Sequence, residues 1–365
     1  MKEKPCKKKG CRRASIGGQA LMEGIMMRGP LKSAMAVRRP NGTIFFEEEE
    51  NEKKARPAIC RAPFIRGVFG FIDSMRLGYK YLMRSAEIYC EEDGSEAKKS
   101  TETVEENAQN TTANDAGACE ATAAPDGKEK SDEPKSVFSG ATMTAIMVIA
   151  TVLGVALALG LFFWLPTYIY QLLSDHVLPD AFAQNRLTRS VFEGVFKILV
   201  LVLYMALVSL MKDIRRTFMY HGAEHKTIFC YENGLPLTVE NVRKQRRFHP
   251  RCGTSFLILM LLVSIFIGLL IPAQFGDLEG ILNTLVRAAV KILLIPVMMG
   301  IGYELLKLAG RYDNLFTRII SAPGMWLQRI TVREPDDDMI ECAIMAFVAV
   351  MPEEDKKTVA QASDE

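Results

Sequence analysis

The sequence predicts a mainly α-helical polytopic membrane protein with about four transmembrane helices, a small N-terminal region containing a β-hairpin, and a C-terminal amphipathic helix. Two segments of opposite composition indicate this class. The 39 residues from 136 to 174 contain no Asp, Glu, Lys or Arg, whereas residues 91–136 contain no aromatic residue, Leu, Ile or Met and only one Val. The first segment exceeds the roughly 20 apolar residues that a helix needs to cross a bilayer. The second is too polar to bury a core, so we expect a disordered acidic linker.

The N-terminal region is predicted to contain a hairpin followed by a helix. Extended runs at 35–39 and 43–48 flank the dipeptide Asn41-Gly42, which favours a tight turn between two strands. From 64 to 89, apolar residues recur at helical spacing. The pattern leaves three positions open for this helix: on the membrane surface, packed against the spans, or covering a core.

Four stretches are predicted to span the bilayer, at 137–166, 191–211, 253–276 and 288–308. The first and the third contain no charged residue. The second carries Glu193 and Lys197 in its opening turns, where long side chains can reach the interface. The fourth includes Lys291, Glu304 and Pro296, which predict a helix that is kinked or packed behind the others.

Basic residues are concentrated in the connection between the second and third spans. Residues 212–251 contain nine Lys or Arg, against two, Arg186 and Arg189, between the first and second spans. Since basic loops stay in the cytoplasm, we expect both termini inside a multi-pass protein of the inner (cytoplasmic) membrane. The net charge of +2 gives no reason to expect nucleic-acid binding. The expected contacts are membrane lipids and a membrane-protein partner.

The C-terminal helix is predicted by one apolar stripe at helical spacing: Ile340, Ala343, Ile344, Phe347 and Val348. We expect it to dock on the cytoplasmic side. The predicted regions are a cytoplasmic N-terminal region at 1–90, the linker at 91–136, a transmembrane domain at 137–310 and a cytoplasmic C-terminal region at 311–365. The transmembrane domain includes a cytoplasmic His-rich loop at 212–252.

The candidate chemistry lies in the histidine cluster of this basic connection, where three of the four histidines occur. His221-Gly222-Ala223-Glu224-His225 is an H-x-x-E-H pattern, which places two imidazoles one helical turn apart on the same face. Two imidazoles so placed can bind one metal ion. In hydrolases with this inverted pattern the carboxylate, here Glu224, is the base that takes a proton from water.

His249 and Cys252, three residues apart, could complete the metal shell. Imidazole and thiolate ligands are typical of zinc, so the expected cofactor is a divalent metal of that kind. If all four candidates coordinate, namely His221, His225, His249 and Cys252, the shell is closed and the metal is structural. If one does not, an open position admits water beside Glu224. Hydrogen-bonding histidines without a metal are the simpler alternative.

A second motif lies at residues 17–30, where four glycines surround Gln19, Glu23 and Arg28. Glycines allow backbone conformations closed to other residues, and polar side chains among apolar neighbours are costly to bury without partners. The motif therefore favours a loop that lines a site, with a plain turn-rich loop as the alternative. It contains neither of the common glycine-rich nucleotide patterns.

Four long motifs resemble the YqhQ-like family of bacterial membrane proteins: GGQALMEGIMMRGP, YHGAEHKTIFCYENG, VENVRKQRRFHPRCGTSF and PGMWLQRITVREPDDD. The resemblance extends over nearly the whole chain apart from the acidic linker. It implies a metal-dependent membrane enzyme whose histidine motifs match His221, Glu224, His225, His249 and Cys252. It implies no substrate or reaction.

Two functions are therefore expected. The first is a metal-dependent hydrolase at the cytoplasmic membrane interface, whose substrate could be a peptide, a lipid or a small polar ester. The second is a non-enzymatic membrane scaffold, for instance an accessory factor for membrane-protein assembly, in which the metal or polar cluster is structural.

Overall fold

The computed structural model describes residues 16–51, 57, 60, 62–109, 140–179, 185–250, 252–272, 275–276, 280–312 and 314–352. The chain divides into two compact units, Met1–Asp93 with Pro166–Glu365, and Gly94–Leu165. Within the described residues the protein is mainly helical, with one four-stranded sheet near the N-terminus. The predicted combination of many helices and a small β element is therefore confirmed.

The strands form an antiparallel sheet in the order β1-β2-β3-β4, with bounds Gly17–Leu21, Gly24–Arg28, Lys32–Arg38 and Ile44–Glu50. The predicted hairpin is confirmed as β3 and β4. Gly42 takes a φ of 84° in its turn, which a residue without a Cβ adopts at little cost. The Asn41 side chain accepts a hydrogen bond from the Thr43 backbone N–H at 2.8 Å.

The prediction of a loop at residues 17–30 was wrong, since this motif forms β1 and β2. The apolar run Ile25, Met26 and Met27 is buried on both sheet faces, which a loop would not achieve. Gly24 allows β2 to approach β3 closely, because a Cβ there would lie 2.5 Å from the Ala36 carbonyl oxygen. Glycine in this motif thus permits close strand packing.

The helices, in chain order, are α1 to α11 with bounds Ile65–Gln109, Gly140–Leu159, Leu165–His176, Arg186–Val208, Lys212–Glu232, Val239–Arg243, Gly253–Leu270, Gly280–Leu293, Ile295–Arg311, Leu315–Thr331 and Asp337–Val350. A π-helical segment, Gly160–Trp164, joins α2 to α3. The predicted C-terminal helix is confirmed as α11.

The sheet lies between two helical layers because both of its faces are apolar. On one face, Ile25, Met27, Ala34 and Ala36 form a core with residues of α5 and α11. On the other face, further residues of the first three strands form a core with two residues of α1: Leu21, Met26, Met35 and Val37 with Tyr81 and Ile88. Side chains that alternate along each strand explain the two cores.

The predicted helix at 64–89 forms the first part of α1, which continues to Gln109. It covers the sheet through Tyr81 and also contacts α9, where Arg66 binds Glu304 at 2.5 Å. The helix enters the segment 91–136 that the sequence predicts as disordered, because Ala, Glu and Lys favour a helix even where no core can form. Residues 110–139 lie outside the described part of the chain.

Three helical stretches are long and apolar enough to cross a membrane: Val148–His176, Arg186–Val208 and Gly253–Leu270. A fourth candidate is the pair Leu282–Leu293 and Ile295–Ala309, bent by 44°. Pro296 stands in the first turn of α9, directly after the bend, where its missing N–H costs least. These four stretches overlap the predicted spans, and the fourth is bent, which is one of the two alternatives predicted for it.

Helix α4 carries a buried acidic residue, Glu193, that is surrounded by basic side chains. The Glu193 carboxylate accepts hydrogen bonds from Arg189 at 3.1 Å and Thr167 at 3.2 Å, and forms an ion pair with Lys291 of α8. Arg287 lies 4.0 Å away. Glu193, Arg287 and Lys291 each expose less than a tenth of the side chain, so this buried network joins α3, α4 and α8.

We expect Glu193→Gln to lower the free energy of unfolding by about 3–5 kcal/mol, because the buried cations around it would lose their counter-charge. Thermal or denaturant unfolding of the purified protein in detergent measures the change. Glu87→Gln is the control, since Glu87 forms an exposed pair with Arg84 and should cost less than about 1 kcal/mol. Equal effects of the two substitutions would contradict this assignment.

Candidate metal centre

Helix α5 presents the H-x-x-E-H motif and is held on two sides. Tyr220, Ala223 and Ile228 are buried in the core beneath the sheet. On another side, Gly222 lies against the Arg333 carbonyl, so close that a Cβ there would overlap the oxygen. The backbone is thereby fixed at Gly222, between the candidate side chains of His221 and Glu224.

Three of the candidate ligands come together. One ligand atom from each of His221, His225 and Cys252 lies within 4.8 Å of the others. His221 Nε2 is 3.1 Å from Cys252 Sγ, and the rings of His221 and His225 meet edge to face at 4.5 Å between centroids. Two histidines one helical turn apart thus meet a cysteine that lies 31 residues after the first of them in the sequence.

The orientation of both rings is set by backbone carbonyls. His221 Nδ1 lies 3.0 Å from the Thr331 carbonyl oxygen, and His225 Nδ1 lies 2.5 Å from that of Arg247. A carbonyl only accepts hydrogen bonds, so each Nδ1 carries the proton and donates it. In the neutral rings each Nε2 then keeps a lone pair, and carbonyl partners of this kind are typical of metal-binding histidines.

Cys252 is the N-cap of α7, the third candidate span. Its sulfur accepts a hydrogen bond from the Thr254 backbone N–H at 3.4 Å, and the Thr254 hydroxyl lies at 3.2 Å. The side chain is therefore placed by the first turn of an apolar helix. This position brings the sulfur to the histidines of α5.

His249 lies beside the group of three. Its ring centroid is 5.7 Å from that of His225 and 4.6 Å from that of Phe229, and its Nε2 is 3.5 Å from a carboxylate oxygen of Glu232. Burial lowers the pKa of His249 to about 4, which keeps the ring neutral at pH 7.

The backbone of His249 is held by Gln328 of α10. The Gln328 Oε1 accepts from the His249 N–H at 2.8 Å, and the Gln328 Nε2 donates to the His249 carbonyl at 2.7 Å. Both groups are buried. The segment that carries the Arg247 carbonyl is therefore tied to α10 by a two-point contact.

Glu224 points toward β1. Its Oε1 accepts a hydrogen bond from the Gly18 backbone N–H at 3.0 Å. Burial raises the pKa of the Glu224 carboxyl, while His221, the Gly18 N–H and His249 act in the opposite direction. A Cβ on Gly18 would lie 3.0 Å from the carboxyl carbon of Glu224, so this contact depends on glycine.

Four of the candidate side chains line one cavity of about 110 Å³, and His221 is not among them. Glu224, His225, His249 and Cys252 line it together with the backbone at 16–18 and the start of α7. This volume holds several water molecules or a small part of a larger ligand. Three candidate metal ligands, a carboxylate and a cavity therefore meet in one place.

The match to known proteins decides the family. The family model described as "Protein of unknown function (DUF1385)" matches residues 62–353. The chain belongs to the DUF1385 family. It is also 32% identical over 335 residues to the "Uncharacterized protein YqhQ" of Bacillus subtilis (strain 168), with 91% of each chain covered. The YqhQ-like resemblance is thereby confirmed, and no solved structure matches the chain.

In this DUF1385 chain, the three polar residues of the 17–30 motif lie away from the cavity-lining set. Gln19 packs against Gly78 of α1, on the opposite sheet face. Glu23 binds Arg216 through two hydrogen bonds of 2.5 Å. Arg28 ends β2 with its side chain exposed.

Two parts of the site left no recognisable pattern in the sequence. The Gly18 backbone reaches Glu224 although 206 residues separate them, and Gln328 reaches His249 across 79 residues. The glycines at 17 and 18 were the only available signal for the first. Nothing in the local sequence singles out Gln328.

Proposed function

We propose that this protein is a metal-dependent hydrolase at the membrane interface, with a divalent metal such as zinc held by His221, His225 and Cys252. The observation that carries the proposal is the pair of Nδ1–carbonyl hydrogen bonds, which leaves two Nε2 lone pairs beside a cysteine sulfur. Two imidazoles and one thiolate are a ligand set that zinc accepts in catalytic sites, with a fourth position open to water. Zinc bound there would polarise a carbonyl and acidify a water molecule.

Glu224 is proposed as the general base. Its carboxylate lines the same cavity as His225 and Cys252, so a water molecule in that cavity can lie within hydrogen-bond reach of it. The Gly18 N–H occupies one oxygen of the carboxylate and orients the group. The second oxygen is then the one that accepts the proton.

His249 is proposed to stay outside the ligand set. It lines the cavity, but its Nε2 faces the Glu232 carboxylate at 3.5 Å, and it does not belong to the three residues with mutually close ligand atoms. This arrangement favours the open shell over the closed one. His249 would then contact substrate or water across the cavity.

A structural role in a membrane scaffold, such as an accessory factor for membrane-protein assembly, is the second candidate. The Gly18–Glu224 hydrogen bond favours it, because this contact joins the sheet to α5 whether or not any reaction occurs. In that case the metal would fasten α5 to the start of α7. The partner would be another membrane protein.

We expect the purified protein to bind about one equivalent of zinc per chain and Glu224→Gln to retain it, while the variant fails to complement a strain lacking the gene. The Gln amide oxygen can still accept from Gly18, so the substitution removes the base and keeps the contact. Cys252→Ser should lose zinc, and Cys230→Ser, in the buried core, should keep it. Full complementation by Glu224→Gln together with failure of Cys252→Ser would favour the scaffold.

The proposed location is the inner membrane, with four crossings, both termini in the cytoplasm and lipids around the spans. The connection that contains α5 and α6 is rich in Lys and Arg. Since basic loops stay in the cytoplasm, this connection supports the proposed orientation. Reporter fusions should place positions near Asn233 inside and positions near Asp180 outside. An external Asn233 would contradict both the orientation and a cytoplasmic site.

A further inference from the structure

The polar and apolar faces of helix α10 are reversed relative to those of a helix that covers a core in water. Five of its six buried residues are polar or glycine: Thr317, Ser321, Gly324, Gln328 and Thr331, with Leu327 as the sixth. Its exposed face carries large apolar side chains, each at least 55% exposed: Leu315, Phe316, Ile319 and Trp326. A helix of a water-soluble protein turns such residues toward the core. The exposed face of α10 therefore suits hydrocarbon better than water.

The position of each side chain follows from helical spacing. Leu315, Ile319 and Trp326 are separated by four and then seven residues, so they lie on one side of the helix. The opposite side packs on Ser255 in the first turn of α7. Gln328 Nε2 donates to the Ser255 hydroxyl at 3.2 Å, and Gly324 lies against the same serine. The polar side of α10 is thus occupied by α7, and the apolar side faces outward.

Both ends of α10 lie at the same end of the long apolar helices. The helix begins three residues after the end of α9, and Gly302 of α9 lies against Phe256 in the first turn of α7. At the other end of α10, the Thr331 carbonyl oxygen is 3.0 Å from His221, whose Nε2 is 3.1 Å from the sulfur of the α7 N-cap residue. If α7 and α9 cross a bilayer, α10 starts and finishes at one membrane surface and lies along it.

The charges of α10 are all positive and border the apolar face. Within this helix the charged residues are Arg318 and Arg329, and both are exposed. Arg318 directly precedes Ile319, and Arg329 follows Trp326 by three residues, so both stand beside the exposed apolar side chains. Basic residues at the cytoplasmic membrane surface attract anionic lipid headgroups, and tryptophan favours the same depth.

We propose that α10 lies in the plane of the cytoplasmic membrane surface and binds anionic phospholipid; the proposal rests on the membrane location above. Its four apolar side chains enter the acyl-chain boundary, and its two arginines bind lipid phosphates, as in amphipathic interfacial helices. The same helix holds the site, because Gln328 binds the His249 backbone and Thr331 accepts from His221. The candidate metal centre then lies at the level of the lipid headgroups.

Tryptophan fluorescence tests the depth of α10, because the whole chain contains two tryptophans, Trp164 and Trp326. Full-length Trp164→Phe protein in phosphatidylcholine bilayers keeps Trp326 alone. We expect bromine near the headgroup end of the acyl chains to quench it about twofold more than bromine near their methyl ends. Trp326→Phe is the matched control. Trp164 lies near the middle of the candidate span Val148–His176 and should show the opposite order.

The two variants separate this proposal from the membrane location on which it rests. If Trp164 is quenched and Trp326 is not, protein or water covers the face of α10, so the proposal fails and the membrane location stands. Quenching of Trp326 with the same depth order as Trp164 would also overturn the in-plane position. If neither tryptophan is quenched, the membrane location and the proposal fail together.

The headgroup preference is tested with brominated phosphatidylglycerol as a minor lipid in a phosphatidylcholine bilayer. Compared with the same fraction of brominated phosphatidylcholine, it should quench Trp326 as if it were enriched about fivefold around α10. Combining Arg318→Gln with Arg329→Gln should abolish this enrichment. Lys244→Gln, which removes an exposed ion pair on α6, should leave it unchanged. Equal quenching by the two lipids, or enrichment that survives the double substitution, would contradict binding of anionic lipid by α10.

Discussion

Two backbone carbonyls, those of Thr331 and Arg247, determine what the histidines of α5 can do. Each accepts the Nδ1 proton of one imidazole and so leaves Nε2 unprotonated beside Cys252. The carbonyls themselves depend on distant parts of the chain. Thr331 ends α10, and the segment with Arg247 is tied to the same helix through Gln328. Helix α10 therefore orients both rings.

The candidate site also joins two kinds of structure. Its sulfur belongs to the N-cap residue of α7, a helix whose apolar length is sufficient to cross a bilayer, whereas its histidines lie on a helix that packs beneath the sheet. Tight packing of α7 against α4, where a Cβ on Gly194 would overlap Ile265, fixes this apolar helix. The geometry of the site thus depends on packing between the long apolar helices as well as on the sheet.

Much of the fold could be predicted because it follows from local patterns. Asn41-Gly42 marks a turn, uncharged stretches mark spans, and His221 and His225 at i and i+4 must share a helix face. The predicted loop at 17–30 failed because a glycine-rich pattern does not show that apolar residues will be buried on both faces of a sheet. The sequence also could not separate His249 from Cys252. Gln328 holds the backbone of His249, and Cys252 is positioned as the N-cap of α7. Neither contact produces a periodic pattern in the sequence.

X-ray absorption spectroscopy of the purified, zinc-loaded protein tests the proposed ligand set most directly. We expect a first shell with one sulfur at about 2.3 Å and two imidazole nitrogens at about 2.0–2.1 Å, completed by a light oxygen or nitrogen donor. Cys252→Ser should remove the sulfur contribution. A shell of oxygen and nitrogen donors alone in the unmodified protein would contradict a centre formed by His221, His225 and Cys252.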